Sequence, residues 1–397
     1  MRILLVSAAV PYHPCHDGFR LVLGSLIAEL SGRHEIHLIA ASTGGETDEQ
    51  LAWSRRYCRS VVTVPQARGF SAKFAALSGS ADRTTKVAVA KLMAAVKPDI
   101  VHVEGGSLAS VLRNAPKSAL KVLCIHDCKS LRLREFARHE SWIPARMRLR
   151  TMEELARWHE RHWYRFADSV VVTSNADADA LHGSVPADRI AVIPSGIDLM
   201  HFAYEPAPEP GRIVLTGNMT WPPNEDAAVY FASVVFPKIQ KRAPDASFWI
   251  VGASPTERVQ RVGKMRGVHV TGTVSDLRPW LRSASVYVSP IRFSGGVKIK
   301  LLEAMASGAP IVATAKSICA TPLIDGEEAM IADDSDRMAE AIAALLTDPE
   351  RCRQLTLAAR KKAESEYGWP QIAARFERLY SELAAERSDR GGQTLAP

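Results

Sequence analysis

The chain has 397 residues and a formal net charge of +7, too long for one ordinary core and suited to two α/β domains of about 180 residues each. No run of about 18 apolar residues occurs, which excludes a membrane-spanning helix by pattern. The basic residues lack the aromatic interleaving of a nucleic-acid motif, so the positive balance points to an anionic substrate, an anionic membrane surface or plain solvated faces.

Short apolar runs alternate with amphipathic stretches from the start of the chain. Ile3–Ser7, Glu35–Ala40, Ser60–Val64, Ile100–Val103, Lys121–Ile125, Ser169–Thr173 and Ile190–Ile193 read as strands, with helical patterns such as Leu21–Leu30, Lys86–Ala95 and Met147–Phe166 between them. The opening MRILLVSAAVPY resembles a signal peptide in outline, but Pro11 breaks its apolar run and a first buried parallel strand fits better. The segment 201–211 is rich in Pro and Glu and is the expected linker. A second alternation follows, with strands expected at Ile213–Thr216, Phe248–Val251, Val268–Thr271, Ala284–Val288, Ile311–Ala313 and Met330–Ala332. The expected division is therefore a first domain over 1–200, the linker 201–211, a second domain over 212–370, a C-terminal helix over 371–388 and a disordered tail over 389–397. A break is expected at Trp369-Pro370.

The densest information lies in Ser289–Thr314, SPIRFSGGVKIKLLEAMASGAPIVAT. It reads as the end of a buried strand, a loop carrying Arg292 and Gly295-Gly296, a helix holding Lys298, Lys300 and Glu303, and a stop at Gly308-Ala-Pro310. A strand feeding a glycine-bearing loop at a helix start aims free backbone N–H groups above the sheet, where they favour an anion. Lys300 and Glu303 are three apart and share a helix face. A cation and a carboxylate beside such a loop suit a ligand with phosphates at one end and sugar hydroxyls next to them, as in a nucleotide-sugar.

This segment resembles the donor-binding signature of retaining GT-B glycosyltransferases of the group 1, or family 4, type. Glu303-Ala-Met-Ala306-Ser-Gly308-Ala-Pro310-Ile-Val312 matches the second half of that signature. The resemblance extends to the first strand and loop, the Pro194–Asp198 turn and the Gly217 and Gly252 loops. It implies a GT-B fold, two Rossmann-like doubly wound domains facing across a cleft, acceptor-binding first and donor-binding second, with the final helix crossing back to pack on the first domain. It also implies transfer of a sugar from a nucleotide diphosphate-sugar to a hydroxyl acceptor (glycan, lipid-linked or small molecule), with retention and with no metal or other cofactor. By the same resemblance Glu303 accepts hydrogen bonds from the donor ribose, and Gly252, Gly272 and Val274 lie near the base.

The chain departs from the family in two places. The first glutamate of the signature falls on Gly295, whose neighbours Gly296 and Val297 bring backbone rather than carboxylate to the donor. Either Glu303 and main-chain groups suffice there, or another acid such as Asp127 compensates. The loop that usually supplies a basic pair reads Gly217-Asn218-Met-Thr-Trp221-Pro-Pro-Asn224, without Lys or Arg. Arg292, Lys298 and Lys300 are the nearest replacements for stabilising a departing diphosphate, although ordinary surface lysines are the alternative for the latter two. The string G-N-M-x-W-x-P-N with a Lys three before the glutamate resembles a bacterial exopolysaccharide branch of the family.

In the first half, His126 follows a predicted strand, at the strand end where open α/β sheets bind ligands. In the family a His here contacts the transferred sugar; a structural His is the alternative. Gly18 and Arg20 match the family's glycine loop near acceptor and diphosphate. The catalytic set expected from all this is His126, Arg292 and Lys300. Asp177-Ala-Asp179 and Asp334-Ser-Asp336 read as helix-start carboxylates rather than metal ligands. The six cysteines, at 15, 58, 124, 128, 319 and 352, lack disulfide or metal spacing and suit a reducing compartment. The expected location is the cytoplasm, at the inner membrane face if the Arg132–Arg150 basic stretch with Trp142, Ile143 and Met147 docks there. Two other functions share these features, a GT-B sugar-nucleotide epimerase and a non-catalytic nucleotide-sugar-binding subunit.

Overall fold

The computed structural model describes residues 1–13, 18–66, 80–293 and 299–393. The chain forms two compact units, one of 1–195 with 369–397 and one of 196–368.

The first unit is built on a seven-stranded parallel sheet in the order β3-β2-β1-β4-β5-β6-β7. Its strands are β1 (Arg2–Ser7), β2 (Glu35–Ser42), β3 (Ser60–Pro65), β4 (Ile100–Glu104), β5 (Leu120–Ile125), β6 (Ser169–Val172) and β7 (Ile190–Val192). The second unit carries a six-stranded parallel sheet in the order β10-β9-β8-β11-β12-β13. Here β8 is Arg212–Thr216, β9 Ser247–Val251, β10 Val268–Gly272, β11 Val286–Ser289, β12 Ile311–Ala313 and β13 Met330–Ile331. Central strands such as β1 and β11 are apolar along their length because helices cover both faces of a parallel sheet. Both sheets reverse strand order once, between β1 and β4 and between β8 and β11, and such reversals open a crevice at the carboxyl ends of the strands.

The helices begin and end where local chemistry requires. Thr47 and Gln50 form a capping box for the helix Asp48–Tyr57. Asp334 accepts from the amides of Asp336 and Arg337 and so starts the helix Ser335–Leu345. Asp177 is buried and accepts from the Cys128 amide at 2.9 Å. The helix Ile299–Ser307 stops at Gly308, whose φ of +80° and whose position against the Tyr204 ring, 2.7 Å from an added Cβ, admit no side chain.

Two expected boundaries are corrected. The segment 201–211 is part of the second unit, since Ala207 and Glu209 donate to the carbonyls of Arg282 and Ser283 at 2.8 and 2.9 Å and Tyr204 bonds Thr356. The crossings between units fall instead after Ser195 and after Gly368. The last helix runs Trp369–Gln393, so residues 389–393 are helical rather than a disordered tail. It belongs to the first unit, where it packs on the helix Gly18–Ser31 and on β5.

Candidate donor site and companion histidine

In the second unit, the carboxyl ends of β8, β9 and β10 carry Gly217, Gly252 and Gly272, and the three loops are bonded to one another. The Gly217 amide donates to Val251 O at 3.0 Å, Met219 N to Ala253 O at 2.9 Å, and Gly252 N to Gly272 O at 3.2 Å. A Cβ on Gly252 would lie 2.0 Å from the Gly217 carbonyl oxygen, so the two backbones touch directly. A Cβ on Gly217 would lie 2.7 Å from both Lys300 Nζ and Asn224 Nδ2. The absence of a side chain at Gly217 is what lets Lys300 reach the end of β8.

Asn224 organises this corner. It is buried near the start of the helix Pro222–Tyr230, donates through Nδ2 to Asn218 O at 2.8 Å and accepts Lys300 Nζ on Oδ1 at 2.7 Å. The Asn218 side chain turns back to Thr220, accepting from its amide at 3.0 Å and its hydroxyl at 2.8 Å. Thr216, Asn224, Tyr287, Ile291 and Lys300 line a small recess at the β8/β11 reversal. Glu303 is half-buried one turn along from Lys300. Burial pushes its carboxyl up to about 7, against the opposing pull of the Lys300 charge. Val274 packs against the core below.

Arg292 follows β11 but is not a bare cation. Its guanidinium makes a bidentate pair with Asp226, at 2.8 and 2.5 Å, and lies 4.5 Å from the centroid of the Tyr230 ring. A diphosphate drawing on Arg292 competes with Asp226 for it. Gly295, Gly296, Val297 and Lys298 lie outside the described residues.

In the first unit, His126 stands just past β5. Its Nε2 is 3.0 Å from Glu104 Oε2, and the Phe19 ring meets it edge-on at 5.1 Å. Burial alone would lower its pKa, but the bond to Glu104 and the charges of Glu104 and Asp127 outweigh this and raise it. Asp127 itself pairs with Arg132 at 2.5 Å, so its carboxylate is engaged locally. Gly18 opens the helix Gly18–Ser31. Arg20 turns back to the loop after β1, donating to Val10 O at 3.2 Å and lying over the Tyr12 ring. His102, Glu104 and Cys124 are near enough to one another to hold a metal ion. Both nitrogens of His102 and both oxygens of Glu104 are already hydrogen-bonded, however, which makes the group a closed polar network.

Residues 17–201 match the family described as Glycosyltransferase Family 4, and residues 210–348 match Glycosyl transferases group 1. The chain belongs to these glycosyltransferases. A phosphatidyl-myo-inositol mannosyltransferase of Mycolicibacterium smegmatis is 30% identical over 224 residues, 51% of this chain and 57% of that protein. A glycogen synthase of Mycobacterium tuberculosis is 24% identical over 320 residues, 76% of this chain and 72% of that protein. The chain thus spans little more than half the length of the mannosyltransferase it matches. Among solved structures, sucrose-phosphate synthase from Thermosynechococcus elongatus is similar with a TM-score of 0.72 at 20% identity, covering 97% of this chain and 100% of that one. HepE from Anabaena in complex with UDP has a TM-score of 0.66 at 14% identity, covering 96% and 100%. These likenesses show the GT-B fold with its two Rossmann-like sheets.

Two residues of this chain, Asp226 and Glu104, escape the sequence reading, as does the pairing of Asn224, itself an expected donor-binding residue like Asn218, with Lys300. Asp226, the partner of Arg292, and the Asn224 bond to Lys300 join positions more than sixty apart, and no local pattern pairs them. Glu104 carries a readable signal that the family resemblance overshadows, an acid ending a buried strand beside the strand-order reversal.

Proposed function

We propose that the chain is a metal-independent retaining glycosyltransferase that uses a nucleotide diphosphate-sugar donor and a hydroxyl acceptor. The observation that carries this is the corner at the β8/β11 reversal, where Lys300 is held by Asn224 beside three side-chain-free loop ends, with Glu303 one turn away. Lys300 supplies charge to the diphosphate, and Glu303 accepts from the two ribose hydroxyls. His126 is the group assigned to the transferred sugar. In the transfer, the acceptor oxygen bonds to the anomeric carbon on the face from which the diphosphate departs. The bond from that carbon to the diphosphate oxygen breaks, and the leaving oxygen takes the acceptor proton. Charge on the diphosphate grows as this happens, so fixed cations act most strongly at the transition state.

A lipid-linked acceptor fits the first unit. Trp142 and Met147 are each 65% exposed and Ile143 is 59% exposed, at the start of the helix Ile143–Trp163 and interspersed with Arg146, Arg148 and Arg150. Apolar and basic groups mixed on one helix start suit the headgroup boundary of an anionic bilayer. No helix among the described residues is long and apolar enough to cross a membrane.

The test incubates the protein, with a chelator present, against a panel of nucleotide-sugars, with acceptors offered in solution or in anionic vesicles. Expected are acceptor-dependent release of nucleoside diphosphate, a product of unchanged anomeric configuration, and a higher rate on vesicles. Interconversion of the free donor would indicate an epimerase, binding without turnover a carrier, and loss of activity with chelator a metal-dependent route.

A further inference from the structure

A chain of buried polar groups runs behind His126, and all of it lies in the first unit. His102 and Glu104 are two apart on β4, so their side chains leave the same face of the sheet. Both are essentially inaccessible, as is Tyr380 of the helix Trp369–Gln393. Tyr380 OH is 2.6 Å from His102 Nδ1, His102 Nε2 is 3.0 Å from Glu104 Oε1, and Glu104 Oε2 is 3.0 Å from His126 Nε2. Phe376, one turn before Tyr380, packs on the His102 ring at 5.5 Å.

The ionised carboxylate at the centre of this chain fixes the direction of the two bonds that reach it. The carboxylate of Glu104 has no proton to give, so both histidines donate to it through Nε2–H. On its other ring nitrogen, Nδ1, His102 bonds the Tyr380 hydroxyl, a group able to donate or accept there. Two donated hydrogen bonds hold Glu104 ionised well below the usual carboxylate range, against a burial that opposes ionisation. At the far end His126, whose side chain is 27% exposed, is left with Nδ1 as the nitrogen not engaged by Glu104. Neighbouring groups do not disturb the assignment. Cys124, beside Glu104 on β5, is held as a neutral thiol by burial and by the Glu104 charge. Asp127 is turned to Arg132, and Phe19 brings no charge.

We propose that Glu104 is the positioning residue of His126, fixing its proton on Nε2 and its Nδ1 outward, and that Tyr380 holds Glu104 in place through His102. A helix from the far end of the sequence thereby sets the orientation and charge of a group just past β5. Glu104 and Tyr380 are positioning residues, not catalytic ones. The assignment of His126 to the transferred sugar rests on the proposed function, whereas the positioning does not.

The experiment labels the imidazole nitrogens with 15N and follows His126 by NMR through a pH titration, in the intact protein and in Glu104→Gln and Tyr380→Phe. In the intact protein Nε2 should stay protonated throughout, with a titration midpoint above the ordinary histidine value. In Glu104→Gln the midpoint should fall and the neutral ring should sample both tautomers. Tyr380→Phe, the milder change, should move it in the same direction by less. An unchanged His126 in Glu104→Gln overturns the proposal, and an unchanged His126 in Tyr380→Phe alone overturns its outer half. If Glu104→Gln fails to fold by near-ultraviolet circular dichroism, the intact protein decides: a neutral His126 ring protonated on Nδ1 rather than Nε2 overturns the proposal. Transfer rates measured on the same proteins test the separate reading: kcat should fall about ten- to a hundredfold in Glu104→Gln, with the donor KM little changed. A His126 that shifts as stated while the rate stays whole leaves the positioning intact and removes His126 from the chemistry.

Discussion

Glu303 sets the pH behaviour expected at the donor corner. Its folded value of about 7 stands above its ordinary 4.5 because burial penalises the charged form more than Lys300 relieves it. The folded state therefore binds the proton more tightly than the unfolded state between these two values. The stabilisation associated with the neutral carboxyl is complete below about 4.5 and is lost as pH rises through 7. Ligand binding should run the other way. On the proposed function the ionised carboxylate would accept from both ribose hydroxyls, so affinity for the nucleoside diphosphate should rise between pH 6 and pH 8. Glu303→Gln should keep the fold, flatten both trends and weaken binding by about 1.5–3 kcal/mol, the range for hydrogen bonds to a charged group. Calorimetric titration with nucleoside diphosphate at several pH values checks this, and an unaltered affinity in the variant would take Glu303 out of the site.

At the scale of elements, the three glycine loops differ in what presses on them. Gly252 faces the Gly217 backbone, which cannot move without pulling on the β8 and β9 ends. Gly217 faces the tips of Lys300 and Asn224, and the lysine tip can swing away. Both glycines have positive φ, so alanine adds strain at either place. Gly252→Ala should therefore lower the melting temperature by several degrees, whereas Gly217→Ala should cost less stability and instead displace Lys300, reducing turnover more than fold. Comparing thermal unfolding with transfer rate for the two variants separates these effects. Equal losses of stability would mean that the loops yield as one piece. The strands themselves were legible from their apolar runs and the stop at Gly308 from its Gly-Ala-Pro sequence, whereas the Gly217 and Gly252 loops came through the family resemblance. The engagement of Arg292 by Asp226 was not, because the two meet through the packing of separate helix and loop segments rather than through any shared motif.

For the molecule as a whole, composition pointed to the wrong joint. Pro and Glu in 201–211 look like a linker, but a linker is defined by the bonds it lacks, and this stretch is bonded to Arg282 and Ser283. The true crossing at Gly368–Trp369 is marked only by the Trp-Pro break, whose consequence depends on where the last helix docks. That docking makes the first unit discontinuous in sequence. Ile372, Phe376 and Tyr380 are buried there, and Glu377 pairs with Arg33 at 2.6 Å and His34 at 2.9 Å. Three large buried side chains at about 1.5–3 kcal/mol each amount to a large share of a typical domain's stability. Ending the chain after Gly368 should therefore unfold or loosen the first unit, uncovering His102 and Glu104. The second unit holds its own core around Phe231, Phe236 and Phe248 and should be unaffected. Hydrogen exchange read by mass spectrometry should show amides of β4 and β5 losing protection in the shortened chain, with β8, β9 and β11 retaining theirs. Full protection in β4 and β5 would show that the last helix is an ornament of the first sheet and not part of its core.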